Sequence, residues 1–230
     1  MEKGRFDSVS LAGIAVFSAL ATLLAAVSQS LGLNFPVVPY LQFDLGEVAI
    51  IMAFFIFGPL PAVASSFVEF VALMAFGQNA PVGPILKLAA LLSTVGGMWV
   101  GVKVSTSVGR AGLGRILAAS AAAGTLVRVA AMTVANYYLV VYLYGLTGTV
   151  SYYGLPHAFS QIGLELTGAN ALTLVLAFTA VFNALQLAFV VVLSSWVLRF
   201  PPLTNMRVGG RVPWFVSTAN ARAGPEETEQ

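Results

Sequence analysis

The sequence predicts an all-α membrane protein whose chain crosses the bilayer six times. Three observations predict this class. Hydrophobic residues make up 58% of the 230 residues, charged residues make up only 9%, and six long apolar stretches are separated by short connections. Soluble domains carry about 25% charged residues. A chain with a mean hydropathy of +0.89 lacks the polar surface that a soluble fold of this size needs.

A helix needs roughly 20 apolar residues to cross a bilayer. The first stretch, residues 9–31, carries no charge and is too long for the apolar core of a signal peptide. A proline-containing connection over residues 33–43 leads to a shorter second stretch, 44–57, which ends at the sequence Gly-Pro-Leu-Pro. The remaining four helices are predicted at residues 60–76, 82–104, 115–144 and 172–198.

Lysine and arginine orient these helices, because cytoplasmic loops are enriched in both. With the N-terminus inside, six crossings return the C-terminus to the inside, and the outer loops contain no basic residue. Nine of the eleven basic residues then lie inside: Lys3, Arg5, Lys103, Arg110, Arg115, Arg199, Arg207, Arg211 and Arg222. We therefore expect a multi-pass protein of the cell membrane with both termini cytoplasmic. The helices occupy residues 1–200, and the polar residues 201–230 are expected to form a flexible tail.

Composition excludes several classes of function. Cysteine is absent from the sequence and His157 is the one histidine, so a Cys- or His-rich metal site is excluded and a Ser-His catalytic pair is disfavoured. The sequence contains no phosphate-binding loop for ATP hydrolysis, and its scattered basic residues do not predict a nucleic-acid surface. We expect no enzyme activity and no nucleic-acid partner. An intramembrane enzyme acting on a lipid and a purely structural membrane subunit remain alternatives.

Charged side chains within the apolar stretches mark candidate sites, because a charge at the bilayer centre costs about 2.5–3.5 kcal/mol on insertion scales. Asp44 and Glu47 open the second helix, where they either cap its N-terminus or belong to a site. Glu69 and Lys87 are expected in the outer halves of helices three and four, as a structural pair or as ligand contacts. Arg128 lies near the middle of helix five, where it needs an internal partner.

Amide and tyrosine side chains add uncharged polar groups at similar depth. Asn136 precedes Tyr137 in the outer half of helix five, and Asn183 and Gln186 lie three residues apart on one face of helix six. Such amides either hydrogen-bond neighbouring helices or, with the tyrosines, bind a polar ligand that has an aromatic part. Their outer positions indicate that such a ligand enters from outside.

Helix one carries a narrow face of small residues. This face consists of Ala12, Ala15, Ala19, Thr22 and Ala26. Small residues allow a second helix to approach closely. The face therefore predicts a helix contact, either within the chain or with a partner protein.

Several motifs resemble known transport proteins. Residues 40–47, Tyr-Leu-Gln-Phe-Asp-Leu-Gly-Glu, and 55–63, Phe-Ile-Phe-Gly-Pro-Leu-Pro-Ala-Val, resemble the substrate-binding S components of energy-coupling-factor (ECF) vitamin transporters. Residues 132–139, Met-Thr-Val-Ala-Asn-Tyr-Tyr-Leu, and 182–186, Phe-Asn-Ala-Leu-Gln, are similar to the riboflavin-specific group. In that group two asparagines and a lysine contact the flavin. Asn136 and Asn183 match the asparagines, and Gln186 stands at the position of the lysine.

The resemblance implies a six-helix S-component-like bundle that binds riboflavin or a related flavin as a transported ligand, with no cofactor. It implies a site in the outer half near the connection between helices one and two. The expected ligand contacts are Asn136, Asn183, Gln186, Tyr40, Leu41, Asp44, Glu69, Lys87 and Tyr137. The implied partners are a transmembrane coupling protein, which meets the small-residue face of helix one, and two cytoplasmic ATPases. An S component for another vitamin or heterocycle is the alternative.

Overall fold

The computed structural model describes residues 7–77, 80–107, 112–139, 141, 155–167, 170–199 and 205–220. Across these residues the fold is all-helical and contains no β-strand; isolated β-bridges join Asn34 to Gln42 and Val208 to Arg211. The helices are α1 Ser8–Leu31, α2 Gly46–Phe57, α3 Pro59–Phe76, α4 Val82–Ser107, α5 Leu113–Tyr138, α6 Leu155–Gln161, α7 Ala171–Val197 and α8 Trp214–Asn220.

The six predicted apolar helices correspond to α1–α5 and α7. The described part of the chain contains five helices that are long and apolar enough to cross a membrane, namely α1, α3, α4, α5 and α7. These five helices fit a multi-pass membrane protein. At 1.5 Å per residue the 12 residues of α2 extend about 18 Å, well short of the roughly 30 Å of a hydrocarbon core. Of the predicted extension of helix five to residue 144, residues 140 and 142–144 lie outside the described residues.

Local sequence accounts for the ends of the helices. Asp7 caps α1, because its Oδ1 accepts a hydrogen bond of 3.0 Å from the amide of Ser10. This bond, together with the nearby Arg211, holds the pKa of Asp7 below its ordinary value. Helices α2 and α3 are joined by Gly58 alone, whose φ of 95° suits glycine, and Pro59 follows at the first position of α3, where its missing N–H costs nothing.

Helix α2 is the centre of the bundle. Ten of its 12 residues are buried, and α1, α3, α4 and α7 all pack on it. The most extensive contact between two helices joins α4 to α5, where glycines on α4 let the two backbones approach each other. A central helix that is apolar on all sides is expected to be buried on all sides.

The connection between α1 and α2 forms an aromatic layer over one end of the bundle. A bridge between Asn34 and Gln42 closes the connection into a loop. Phe35 and Phe43 pack against Phe182 of α7, with ring centroids 5.6 and 5.1 Å apart. Phe159 of α6 is fully buried in the same cluster. This aromatic layer covers the end at which α2 begins.

The tail predicted after residue 200 is in part folded. Residues 205–220 pack on the opposite end of the bundle, at which α2 ends, and α8 buries Phe215 and Val216. The aromatic residues of this segment pack on an apolar surface of α2. Residues 201–204 and 221–230 lie outside the described residues.

Candidate ligand-binding site

A cavity of about 150 Å³ lies between the start of α2 and the neighbouring helices. The connection between α1 and α2, the end of α3, the start of α4, the second half of α5 and the middle of α7 all contribute to its walls. Its polar lining consists of Gln29, Tyr40, Gln42, Asp44, Glu47, Lys87, Arg128, Asn136 and Asn183. Leu41, Leu73, Leu86, Met132 and Phe182 are among the apolar residues of the lining.

A buried ion pair between Arg128 and Glu47 forms one wall of the cavity. Arg128 Nη1 and Nη2 lie 2.6 and 2.9 Å from the two carboxylate oxygens of Glu47, a bidentate arrangement. Nη1 also donates to Thr94 Oγ1 at 3.2 Å, and Nε donates to Asn183 Oδ1 at 3.0 Å. The predicted internal partner of Arg128 is thus confirmed, and Glu47 acts in this pair.

A second cluster joins Lys87 to two carboxylates. Lys87 Nζ lies 2.7 Å from Glu69 Oε1 and also contacts Asp44 Oδ2. The expected pairing of Glu69 with Lys87 is therefore confirmed. Asp44 also holds the first turn of α2, because its Oδ1 accepts a 2.6 Å hydrogen bond from the amide of Gly46. Glu69 Oε2 is buried and has no hydrogen-bond partner among the described residues.

The two clusters together do not balance in charge. They combine the three carboxylates of Asp44, Glu47 and Glu69 with the two cations of Lys87 and Arg128, a net charge of −1 when all five are ionised. A buried charge without a counterion is costly, particularly inside a membrane. The site therefore favours a ligand that brings hydrogen-bond donors or positive charge.

The two predicted asparagines line the cavity in different states. Asn136 is fully buried, and its amide nitrogen donates to the Met132 carbonyl at 2.9 Å, while its Oδ1 has no partner among the described residues. Asn183 donates to the Thr179 carbonyl at 2.9 Å, and its Oδ1 accepts from Arg128. Of the two asparagines that line the cavity, Asn136 thus has an unpaired acceptor within the described structure, whereas the acceptor of Asn183 is occupied.

Three predicted ligand contacts lie away from the cavity. Gln186 is fully buried and bonds the backbone of Asp44: its Nε2 donates to the carbonyl at 2.9 Å, and its Oε1 accepts from the amide at 3.4 Å. Tyr137 is 39% exposed and stacks edge-on against Tyr138 on the outer surface of α5. Glu69 reaches the cavity only through Lys87. The other six, Tyr40, Leu41, Asp44, Lys87, Asn136 and Asn183, line it.

Several lining residues were not predicted from the sequence as ligand contacts. Gln29 and Gln42 belong to the cavity, and Gln42 Nε2 donates to the Ser28 carbonyl at 2.8 Å. An amide near the end of an apolar helix was the available signal for Gln29. Met132 and Phe182 also line the cavity, but their residue types did not predict this. An apolar residue in a membrane helix can face lipid, the protein core or a ligand, and the sequence does not distinguish these three positions.

The small-residue face of α1 lies on the outside of the bundle. Ala12, Ala15 and Ala19 are exposed, while Thr22 and Ala26 are partly buried. From Ala15 onward this face and Val68, Ala72 and Phe76 of α3 line an open, largely apolar groove. Within the described residues, the internal packing of α1 instead uses Gly13, Ser18, Ala21, Ala25 and Ser28.

Comparison of the chain with protein-family models, with curated proteins and with solved structures gives no match. The cavity, its charges and the sequence motifs around it therefore provide the basis for assigning a function.

Proposed function

We propose that this protein is the membrane-embedded substrate-binding subunit of an ECF-type vitamin importer, which captures riboflavin or a related flavin from outside the cell. The observation that carries the proposal is the cavity itself. It brings Asn136 and Asn183, from the two motifs that resemble riboflavin-binding proteins, to one site with Tyr40, Asp44 and Lys87. Amides, one ammonium group and apolar walls are a suitable lining for a polar heterocycle.

The chemistry of binding follows from the polar groups of the lining. The Oδ1 atom of Asn136 accepts a hydrogen bond from a ligand N–H, and Lys87 provides a charged donor at the cavity wall. Ligand pockets usually measure about 300–1,000 Å³, whereas this cavity measures about 150 Å³. A flavin therefore enters only when the cavity widens.

The protein performs no chemistry in this proposal. It binds the ligand, and a transmembrane coupling protein with two cytoplasmic ATPases supplies the energy of uptake. In this proposal α2, together with the segments that cover its two ends, forms the second of six crossings, so both termini lie on the same side of the membrane. The basic residues make that side the cytoplasm. The open groove along Ala15, Ala19 and α3 supports a docking site for the coupling protein.

Titration of the purified protein with riboflavin tests the ligand. Quenching of the fluorescence of Trp99, Trp196 and Trp214 reports binding. Asn136→Ala removes the free acceptor and is expected to weaken binding by roughly 5- to 150-fold, since the loss of one buried partner costs about 1–3 kcal/mol. Tyr137→Phe is the matched control, because Tyr137 lies on the outer surface, and it should bind like the parent. A parent protein that does not bind riboflavin would refute the flavin assignment.

The net charge of the site favours a second candidate, a cationic heterocycle as the transported ligand. Glu69 Oε2 and Asn136 Oδ1 are acceptors that have no hydrogen-bond partner in the described part of the chain, and the two clusters carry one more carboxylate than cations. Thiamine, which is permanently charged, is a suitable probe. A larger thermal stabilisation by thiamine than by riboflavin at equal concentration would select this candidate, and the reverse order would exclude it.

Bulky substitutions on α1 test the partner surface. If the groove docks a helix of the coupling protein, Ala15→Trp with Ala19→Trp should abolish co-purification of the coupling protein while ligand binding to the solitary protein persists. Val16→Trp, at a position that is 62% exposed outside the groove, should leave both unchanged. Normal assembly of the double variant would exclude this surface as the docking site.

A further inference from the structure

The central helix α2 is too short to cross the membrane, and both of its ends are closed by other parts of the chain. It extends about 18 Å in a bilayer core of roughly 30 Å. The ligand cavity and the aromatic connection lie at its start, beside Asp44 and Glu47. At its end, Phe54, Phe55 and Ile56 are buried although α2 turns directly into α3 at Gly58. Something must therefore shield this end.

Residues 205–220, which we call the C-terminal cap, provide the shield. The cap is anchored first to the start of α1. Arg211 forms an ion pair with Asp7, the residue that caps α1. Gly209 has a φ of 57° and lies so close to Val9 that a Cβ at this position would be 2.6 Å from Val9 Cγ2. Glycine is thus required both by the backbone conformation and by the close approach.

The cap then places aromatic side chains against the end of α2. The rings of Trp214 and Phe54 are 5.2 Å apart, and those of Phe215 and Phe55 are 5.0 Å apart, both edge-to-face. The Trp214 indole also covers Gly58, where a Cβ would lie 2.9 Å from its ring. Phe215 is only 3% exposed. These contacts cover the turn between α2 and α3 and the buried rings behind it.

We propose that the C-terminal cap closes the end of the bundle opposite the ligand cavity and completes the short α2 across the membrane. With the cap in place, water and solutes are excluded from the end of α2, and the cavity opens towards the other side alone. Displacement of the cap exposes Phe54, Phe55 and the core around them without unfolding the five long helices. The cap is therefore a folded part of the protein, and its removal exposes the end of α2 while the rest of the bundle stays folded.

Cysteine accessibility tests the cap in detergent solution and needs no ligand. The chain contains no cysteine, so Ala53→Cys, at a position that is 1% exposed in α2, is a single reporter. A water-soluble thiol reagent should label this reporter slowly in the native chain. In the Trp214→Ala/Phe215→Ala variant, labelling should be at least about tenfold faster. Trp196→Ala is the matched control, because Trp196 is 59% exposed on α7, and labelling should remain slow.

A second reporter separates local opening from unfolding. Ala25→Cys is fully buried in α1 towards the cavity end, far along the chain from the contacts of the cap. It should stay protected in the Trp214→Ala/Phe215→Ala variant if the cap alone has opened. Slow labelling of Ala53→Cys in that variant would overturn the proposal. Equally accelerated labelling of both reporters would also overturn it, because the cap would then stabilise the whole fold rather than one end. Neither result depends on the identity of the ligand.

Discussion

Arg128 lies at a depth in the membrane where a lone guanidinium would be costly. The N–H groups of its guanidinium donate hydrogen bonds to both carboxylate oxygens of Glu47, the hydroxyl of Thr94 and the amide oxygen of Asn183. The charge is therefore neutralised and its directional bonds are satisfied. The sequence predicts that Arg128 needs an internal partner, but it does not predict which, because Glu47 is 81 residues away and only helix packing brings the two together.

Removing Arg128 alone should be much worse than removing the whole ion pair. Arg128→Met leaves the Glu47 carboxylate buried and unpaired, and we expect a loss of about 3–5 kcal/mol in the free energy of unfolding. Glu47→Leu combined with Arg128→Met removes both charges and should recover a large part of that loss, since buried ion pairs contribute little net stability. Thermal unfolding in detergent compares the parent, the single variant and the double variant. A single variant as stable as the parent would contradict the buried-pair interpretation.

Gln186 illustrates where residue-level prediction from sequence ends. Helical spacing correctly places Asn183 and Gln186 three residues apart on one helix, and both are buried. Spacing does not determine what each side chain meets. Asn183 lines the cavity, whereas the Gln186 amide pairs with the peptide of Asp44 and thereby fixes the start of α2. Gln186 therefore acts on the candidate site indirectly, by positioning the backbone of Asp44.

At the level of helices, apolar length was a reliable guide. The predicted starts and ends of α1, α3 and α7 differ from the observed ones by at most one residue, because a membrane helix must be apolar along its whole length. Helices α6 and α8 were not predicted, since each has seven residues and lacks a long apolar run. Phe159 of α6 and Phe215 of α8 are buried, but their burial cannot be predicted without knowing the surfaces on which they pack.

The contact between α4 and α5 gives a prediction with an internal control. A Cβ at Gly101 would lie 2.5 Å from the Ala119 carbonyl oxygen and 2.6 Å from Ser120 Cα, whereas a Cβ at Gly96 meets nothing within 4 Å. Gly101→Ala should therefore lower the free energy of unfolding by about 1–3 kcal/mol through overpacking. Gly96→Ala should raise it by about 0.5–1 kcal/mol, since glycine weakens a helix interior. Denaturation in detergent measures both, and equal effects would show that α4 and α5 do not pack in this way.

At the level of the whole molecule, the basic residues gather at one end. Leu73 and Gly77 near the end of α3 line the cavity together with Gly83 and Pro84 at the start of α4. Helix α4 therefore begins at the cavity end and finishes at the end that carries the cap. The exposed basic residues that the structure describes at the cap end are Lys103, Arg115, Arg199, Arg207 and Arg211. Among the described residues, the one exposed histidine, His157, belongs to α6 near the cavity end.

This distribution of charge predicts the orientation of the protein in the membrane. Cytoplasmic ends are enriched in lysine and arginine, so the cap end should face the cytoplasm and the cavity should face outwards. Ser107→Cys at the end of α4 and His157→Cys in α6 are both exposed, and the chain has no other cysteine to interfere. A membrane-impermeant thiol reagent applied to intact cells should label His157→Cys at once, whereas Ser107→Cys should react only after permeabilisation. If both sites react from the same side, the bundle does not place its two ends on opposite sides of the bilayer. If Ser107→Cys alone reacts from outside, the cavity faces the cytoplasm and uptake from outside is excluded.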